Sequence, residues 1–148
     1  LLMIYSGMMP GELLIAEKSM IDLDKQIITG AGLKTHYRRK NPIVIADFML
    51  PVLKDICDYS DSKYISFLRK STFYKEFREM LARTNCRPEL TPYSCRHSTA
   101  TALALAGVHE SIMMKVMRQK KIDTTRRYYH IDLQHSLEAV NALKKEEQ

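Results

Sequence analysis

Leu90-Thr91-Pro92-Tyr93-Ser94-Cys95-Arg96-His97-Ser98-Thr99-Ala100-Thr101 is the stretch on which the reading of the whole chain turns. Thr91 before Pro92 predicts a helix start, with threonine as N-cap and proline at the first helical position, where a missing N–H costs nothing. An Ala- and Leu-rich run follows and stops at Gly107, a residue type suited to a helix C-terminus. Tyr93 and Arg96 are three apart and share one face of such a helix. Both lie in its first turns, where unbonded backbone N–H groups and the helix dipole favour an anion. An arginine there can grip a phosphate through two parallel hydrogen bonds. Taken alone, Arg96 is as readily an arginine paired with a carboxylate or left in water.

Two basic stretches flank this helix. Downstream, Lys115, Arg118, Lys120, Lys121, Arg126 and Arg127 stand against one acid, Asp123, and lead directly into Tyr128 and Tyr129. Such a run suits contact with a DNA backbone, with a phenol brought to the phosphate. A solvated basic face with two half-buried tyrosines has the same composition. Upstream, Lys34-Thr35-His36-Tyr37-Arg38-Arg39-Lys40 places a basic tip on a turn, able to grip DNA or to protect an edge strand by charge.

The remaining pattern predicts one mostly helical domain with a small antiparallel sheet near its start. Pro10-Gly11-Glu12-Leu13-Leu14 restarts a helix after Ser6-Gly7. Ile21 to Thr29 reads as two short strands about a turn, and Leu33 to Lys40 with Ile43-Val44-Ile45 as another strand pair. Asp47 to Asp58 carries a helical apolar stripe at Phe48, Val52, Leu53 and Ile56. Ser71 is the expected N-cap of a helix from Thr72 to Thr84. Ser111 to Met117 is a further helix, and Asp123 or Thr124 caps a short one holding Arg126 to His130. Leu133, Leu137, Val140 and Leu143 form the stripe of a last amphipathic helix.

Bulk properties bound the function. The 148 residues fit one compact domain, and a hydrophobic fraction of 45% suffices for a core. A net charge of +6 favours a polyanionic partner, nucleic acid before membrane surface. Cys57, Cys86 and Cys95 form no Cys-x-x-Cys pair, so neither a zinc site nor a disulfide framework is expected. The odd count fits a reducing cytosol. No apolar run approaches membrane-spanning length, and no signal peptide is visible. The opening Leu1-Leu2-Met3-Ile4-Tyr5 reads as the inside of a buried helix. The expectation is therefore a fragment whose preceding DNA-binding domain is missing.

In order and spacing these segments resemble the catalytic domain of the tyrosine recombinase (phage integrase) family, from Leu1 to about Leu143. Tyr5-Ser6-Gly7-Met8-Met9-Pro10-Gly11-Glu12-Leu13 looks like the family's Thr-Gly-x-Arg-x-Gly-Glu-Leu box. Gly32-Leu33-Lys34-Thr35 resembles its hairpin lysine motif, and Leu90 to Thr101 its His-x-x-Arg-His box. Met117-Arg118-Gln119-Lys120 stands where the family often has Leu-Gly-His-x. Thr124-Thr125-Arg126-Arg127-Tyr128-Tyr129 resembles its tyrosine box. Each box alone is a weak match; five in order across one domain are a strong one.

The resemblance implies site-specific DNA recombination without metal, cofactor or ATP. Tyr129 would attack the scissile phosphodiester and form a 3′-phosphotyrosyl link, conserving the phosphoester energy for rejoining. Arg96 would neutralise transition-state charge, and Lys34 would protonate the leaving 5′-oxygen. Counting from the Thr124-Thr125 pair assigns Tyr129 as nucleophile and Tyr128 to packing. Tyr93 and Gln119 complete the expected catalytic set. Arg38, Arg39, Lys40, Arg118, Lys120, Lys121 and Arg126 are the expected contacts to double-stranded DNA. Glu12 would brace the arginine cluster, or simply favour a helix N-terminus. The last helix would dock on a neighbouring subunit in a tetramer on DNA, or pack on its own core. A bacterial cytoplasm, or that of a mobile-element host, is the implied location.

Three positions depart from the family pattern. Met9 stands for an arginine, Tyr93 for a histidine, and Gln119 for a histidine or tryptophan. Met9 cannot hold a phosphate, and tyrosine is a poor base near neutral pH. Two readings stay open: a divergent subgroup in which Tyr93, Gln119 and a nearby Arg or Lys rebuild the site, or a remnant that binds DNA and cleaves poorly. On the first, a cation should stand near Met9.

Overall fold

The computed structural model describes residues 1–129. Its helices are α1 (Leu2–Ser6), α2 (Pro10–Ile15), α3 (His36–Lys40), α4 (Leu50–Tyr59), α5 (Lys70–Arg83), α6 (Ser94–Leu105), α7 (Glu110–Val116) and α8 (Ile122–Arg126). Three two-residue strands, β1 (Ile21–Asp22), β2 (Ile27–Ile28) and β3 (Ile43–Val44), form one antiparallel sheet in the order β1-β2-β3. Ile21 faces Ile28, and Ile28 faces Ile43. The architecture is mainly α with a small antiparallel sheet. The expected last helix, with its subunit-docking role, lies outside the described residues.

Two apolar clusters hold these elements. The larger joins Leu2, Met3 and Met8 to Ile28, Ile43, Ile45, Leu53, Ile65 and Cys95, with Phe73 and Phe77 of α5 packed against it. The smaller gathers Ala100, Met113 and Met117, with Leu103, Tyr128 and Tyr129 beside them. Helix α6 belongs to both. Its Thr99 hydroxyl lies 2.5 Å from the Ile4 carbonyl and fastens α6 to α1.

Several local expectations are corrected. Leu33 to Lys40 does not pair as a strand; His36–Lys40 is a helical turn instead. The Thr35 hydroxyl accepts from the Arg38 N–H at 3.2 Å and caps it. A run of consecutive polar residues has no alternating apolar face to bury in a sheet, so the cap decides the conformation. Helix α5 starts at Lys70, ahead of the expected Ser71 cap. The Thr91-Pro92 start is displaced as well: α6 begins at Ser94, whose hydroxyl accepts from the Thr91 N–H at 3.1 Å. Tyr93 is therefore the N-cap residue rather than part of the first turn. Gly107, at φ 69°, ends the helix as expected.

Candidate active site

The site is built where four separate chain segments bring charged groups into the interior. Pro10 opens α2 and turns Glu12 inward, where it is fully buried. One carboxylate oxygen accepts from the Met9 N–H at 2.9 Å, so the helix start itself fixes the side chain. Arg38, from α3, meets this carboxylate in a two-pronged pair at 2.9 and 3.0 Å. Arg118, beyond α7, reaches the same group at 2.6 Å. One carboxylate thus ties together residues 12, 38 and 118.

Close backbone approach makes this possible. Gly32 lies against α3, and a β-carbon there would sit 2.3 Å from the Arg38 backbone. Only glycine lets the 31–35 turn pack that tightly. Arg118 adopts φ 49°, a left-handed conformation unusual for a side-chain-bearing residue.

Arg96 lies in the same interior, 3% exposed. Its guanidinium donates to the Gly7 carbonyl at 2.5 Å and to the Met117 carbonyl. Gly7, at φ 63°, ends α1 and leaves its carbonyl available to Arg96. Arg96 therefore links the α1 end in the larger cluster to the α7 end in the smaller.

Charge is concentrated here. Burial, then Arg38 and Arg118, pull the Arg96 guanidinium down to about 10. Burial acts on Glu12 in the upward direction, but Arg118, the Met9 N–H and Arg38 outweigh it, and the carboxyl falls below its ordinary value. Glu12 is therefore an anion among cations.

The two tyrosines separate. The Tyr128 hydroxyl lies 2.6 Å from His97 Nδ1. His97 stacks edge-on with Tyr93 at 5.0 Å between ring centres. Burial and Tyr93 raise the Tyr128 phenol, while Arg96 and Arg127 pull it down. Tyr128 is thus grouped with Tyr93, Arg96 and His97 at the start of α6. The Tyr129 hydroxyl instead donates to the Val108 carbonyl. Burial and Glu110 raise its phenol.

The other anticipated residues are spread around this centre. Lys34 is exposed on the turn before α3, at φ 64°. The Gln119 side-chain oxygen accepts from the Thr125 hydroxyl at 2.7 Å and so braces α8. Arg39, Lys40, Lys120, Lys121 and Arg126 are exposed, Arg126 pairing with Glu110 at 3.2 Å. Arg38 and Arg118, anticipated as surface contacts, are buried on Glu12. The buried role of Arg118 and the His97 link to Tyr128 were not anticipated. An arginine in place of a glycine at position 118 was the available clue to the first. Among the described residues no group of three or more His, Cys, Asp or Glu could hold a metal ion, and no helix is long and apolar enough to cross a membrane.

Three arginines from separate chain segments and a histidine-linked phenol are thus brought together around the start of α6. The phage integrase family profile matches residues 1–135, and the chain belongs to that family. A tyrosine recombinase from Thermosipho africanus (strain TCF52B) is 27% identical over 112 residues, covering 72% of this chain and 40% of the relative. The Tn1549 transposon integrase in complex with a circular intermediate DNA superposes with TM-score 0.79 at 18% identity, over 96% of this chain and 56% of that one. The XerA recombinase gives TM-score 0.72 at 20% identity, over 95% and 55%. The chain thus spans about half the length of these solved structures, and less of the curated relative.

Proposed function

We propose that this chain carries the strand-cleaving and rejoining centre of a site-specific DNA recombinase, with Tyr128 rather than Tyr129 as nucleophile. The observation that carries the assignment is the 2.6 Å contact between the Tyr128 hydroxyl and His97. A phenol must lose its proton to attack phosphorus, and an imidazole at hydrogen-bond distance is a suitable acceptor. The Tyr129 hydroxyl is already spent on a backbone carbonyl.

In this reading the scissile phosphate sits beside Arg96, whose charge offsets that of the transition state. Attack by the Tyr128 oxygen breaks the bond to the 5′-oxygen and leaves a 3′-phosphotyrosyl link. The proton goes to His97, and Lys34, exposed on its turn, donates one to the departing 5′-oxygen. Lys120, Lys121, Arg39 and Lys40 hold the flanking DNA backbone through charge. Tyr93 orients His97 by packing, and Gln119 fixes α8 through Thr125. The relatives named above, a tyrosine recombinase and an integrase seen on DNA, support the substrate class. Action in the cytoplasm of a bacterial or mobile-element host, and assembly as a tetramer on DNA, belong to the same proposal.

A nicked duplex that loses its short 5′ fragment on cleavage tests the reading, because religation is then blocked. The expected result is a protein–DNA adduct that survives denaturing electrophoresis. Salt-sensitive duplex binding without any adduct would instead favour the DNA-binding remnant, for which the methionine at position 9 is the specific argument.

A further inference from the structure

Arg118 carries three costs at once. Its backbone is held at φ 49°. Its guanidinium is buried, at 2% exposure for the residue. Its Nε and Nη1 groups find no partner among the described residues. Glycine at this position would remove all three. Strain and unmet donors that persist in a native fold call for a functional reason.

The surroundings supply one. Arg38, Arg96 and Arg118 act on one another as like charges, and Glu12 is the carboxylate bonded to this group. Three guanidiniums against one carboxylate leave a surplus of two positive charges in a desolvated interior. Such a surplus is relieved by an anion, and the unmet N–H donors of Arg118 suit phosphate oxygens. The position that lacks its cation is adjacent: the Met9 N–H donates to the same Glu12 carboxylate that Arg118 holds.

We propose that Arg118 is the cation that replaces the one missing at Met9, completing with Arg38 and Arg96 a pocket for one phosphate group. The proposal rests on the reading of this site as a phosphodiester site. Arg118 fixes Glu12 and, through Glu12, the Arg38 guanidinium, and it offers its own unmet N–H donors to the phosphate. The substitutions at 9 and 118 are then a coupled exchange, a cation moved between two chain segments that both bond the Glu12 carboxylate.

The test measures inorganic phosphate binding to the whole chain by calorimetry, with DNA trapping followed in parallel. Arg118→Gly is expected to weaken phosphate binding at least tenfold. The double variant Met9→Arg/Arg118→Gly is expected to return to within threefold of the parent. A purely structural arginine would give no such recovery from position 9. If Arg118→Gly fails to fold, Arg118→Met, which keeps the side-chain bulk, is expected to show the same loss. Absent phosphate binding in the parent, unchanged binding in either single variant, or no recovery in the double variant overturns the proposal. Adduct formation alongside any of those results leaves the recombinase reading standing. Arg118-dependent phosphate binding with no adduct supports the pocket and removes the recombinase reading instead.

Discussion

The Tyr128 hydroxyl and His97 Nδ1 meet at 2.6 Å across 31 positions of sequence, joining the segment that follows α8 to the first turns of α6. The adjacent phenol of Tyr129 is bound to the carbonyl of Val108. The two neighbours therefore have different work, and substitution separates them. Tyr128→Phe is expected to abolish adduct formation, by a thousandfold or more. Tyr129→Phe should retain adduct formation and lose about 1 kcal/mol of stability, the usual net worth of one hydrogen bond. Adduct yield and denaturant midpoints of both variants check this.

Glu12 dictates an acid limit on stability. Its folded-state pKa lies below its ordinary value of 4.5, held there by Arg118, the Met9 N–H and Arg38 against the upward pull of burial. A depressed carboxyl contributes stability that is present above the unfolded-state pKa and lost as pH falls through the folded-state pKa. Unfolding free energy should therefore drop below about pH 4.5, with Glu12→Gln flattening that part of the curve. At neutral pH the same variant leaves Arg38 and Arg118 without their counterion and should cost about 3–5 kcal/mol. Urea titrations from pH 7 to pH 3 measure both effects.

Gly7 is the second fixed point. A β-carbon there would lie 2.8 Å from the Met117 sulfur, on a backbone at φ 63°. Gly7→Ala should destabilise the chain by about 1–3 kcal/mol through overpacking and strain. Because the Gly7 carbonyl holds Arg96, adduct formation should fall further than the loss of folded protein explains. Adduct yield per folded molecule, with folding followed by circular dichroism, separates the two.

Lys120 and Lys121 are exposed beside the buried cluster. If both contact phosphates, changing them to alanine should reduce the slope of log affinity against log salt by about 2. An unchanged slope places the DNA track elsewhere.

The ordered boxes made the family and the mainly helical fold legible, because spacing along one chain is what a sequence records directly. Arg96 was singled out by its place near a helix start, although its burial and its bonds to Gly7 and Met117 were not legible. The different hydrogen-bond partners of Tyr128 and Tyr129 were not legible either. In a helical turn neighbours project about 100° apart, so a one-residue offset sends a side chain to another surface. Glu12 and Arg118 lie 106 positions apart, and no local pattern joins them. The α3 turn was not legible because a basic run is equally compatible with a charged edge strand, although its Thr35 cap was present in the sequence.

The most direct measurement is to map the residue that carries the DNA. The adduct from a nicked duplex is digested with nuclease and protease, and the nucleotide-bearing peptide is sequenced by mass spectrometry. The account predicts a nucleotide on Tyr128, with Tyr129 unmodified. A nucleotide on Tyr129, or no adduct under conditions where the duplex is bound, would contradict it.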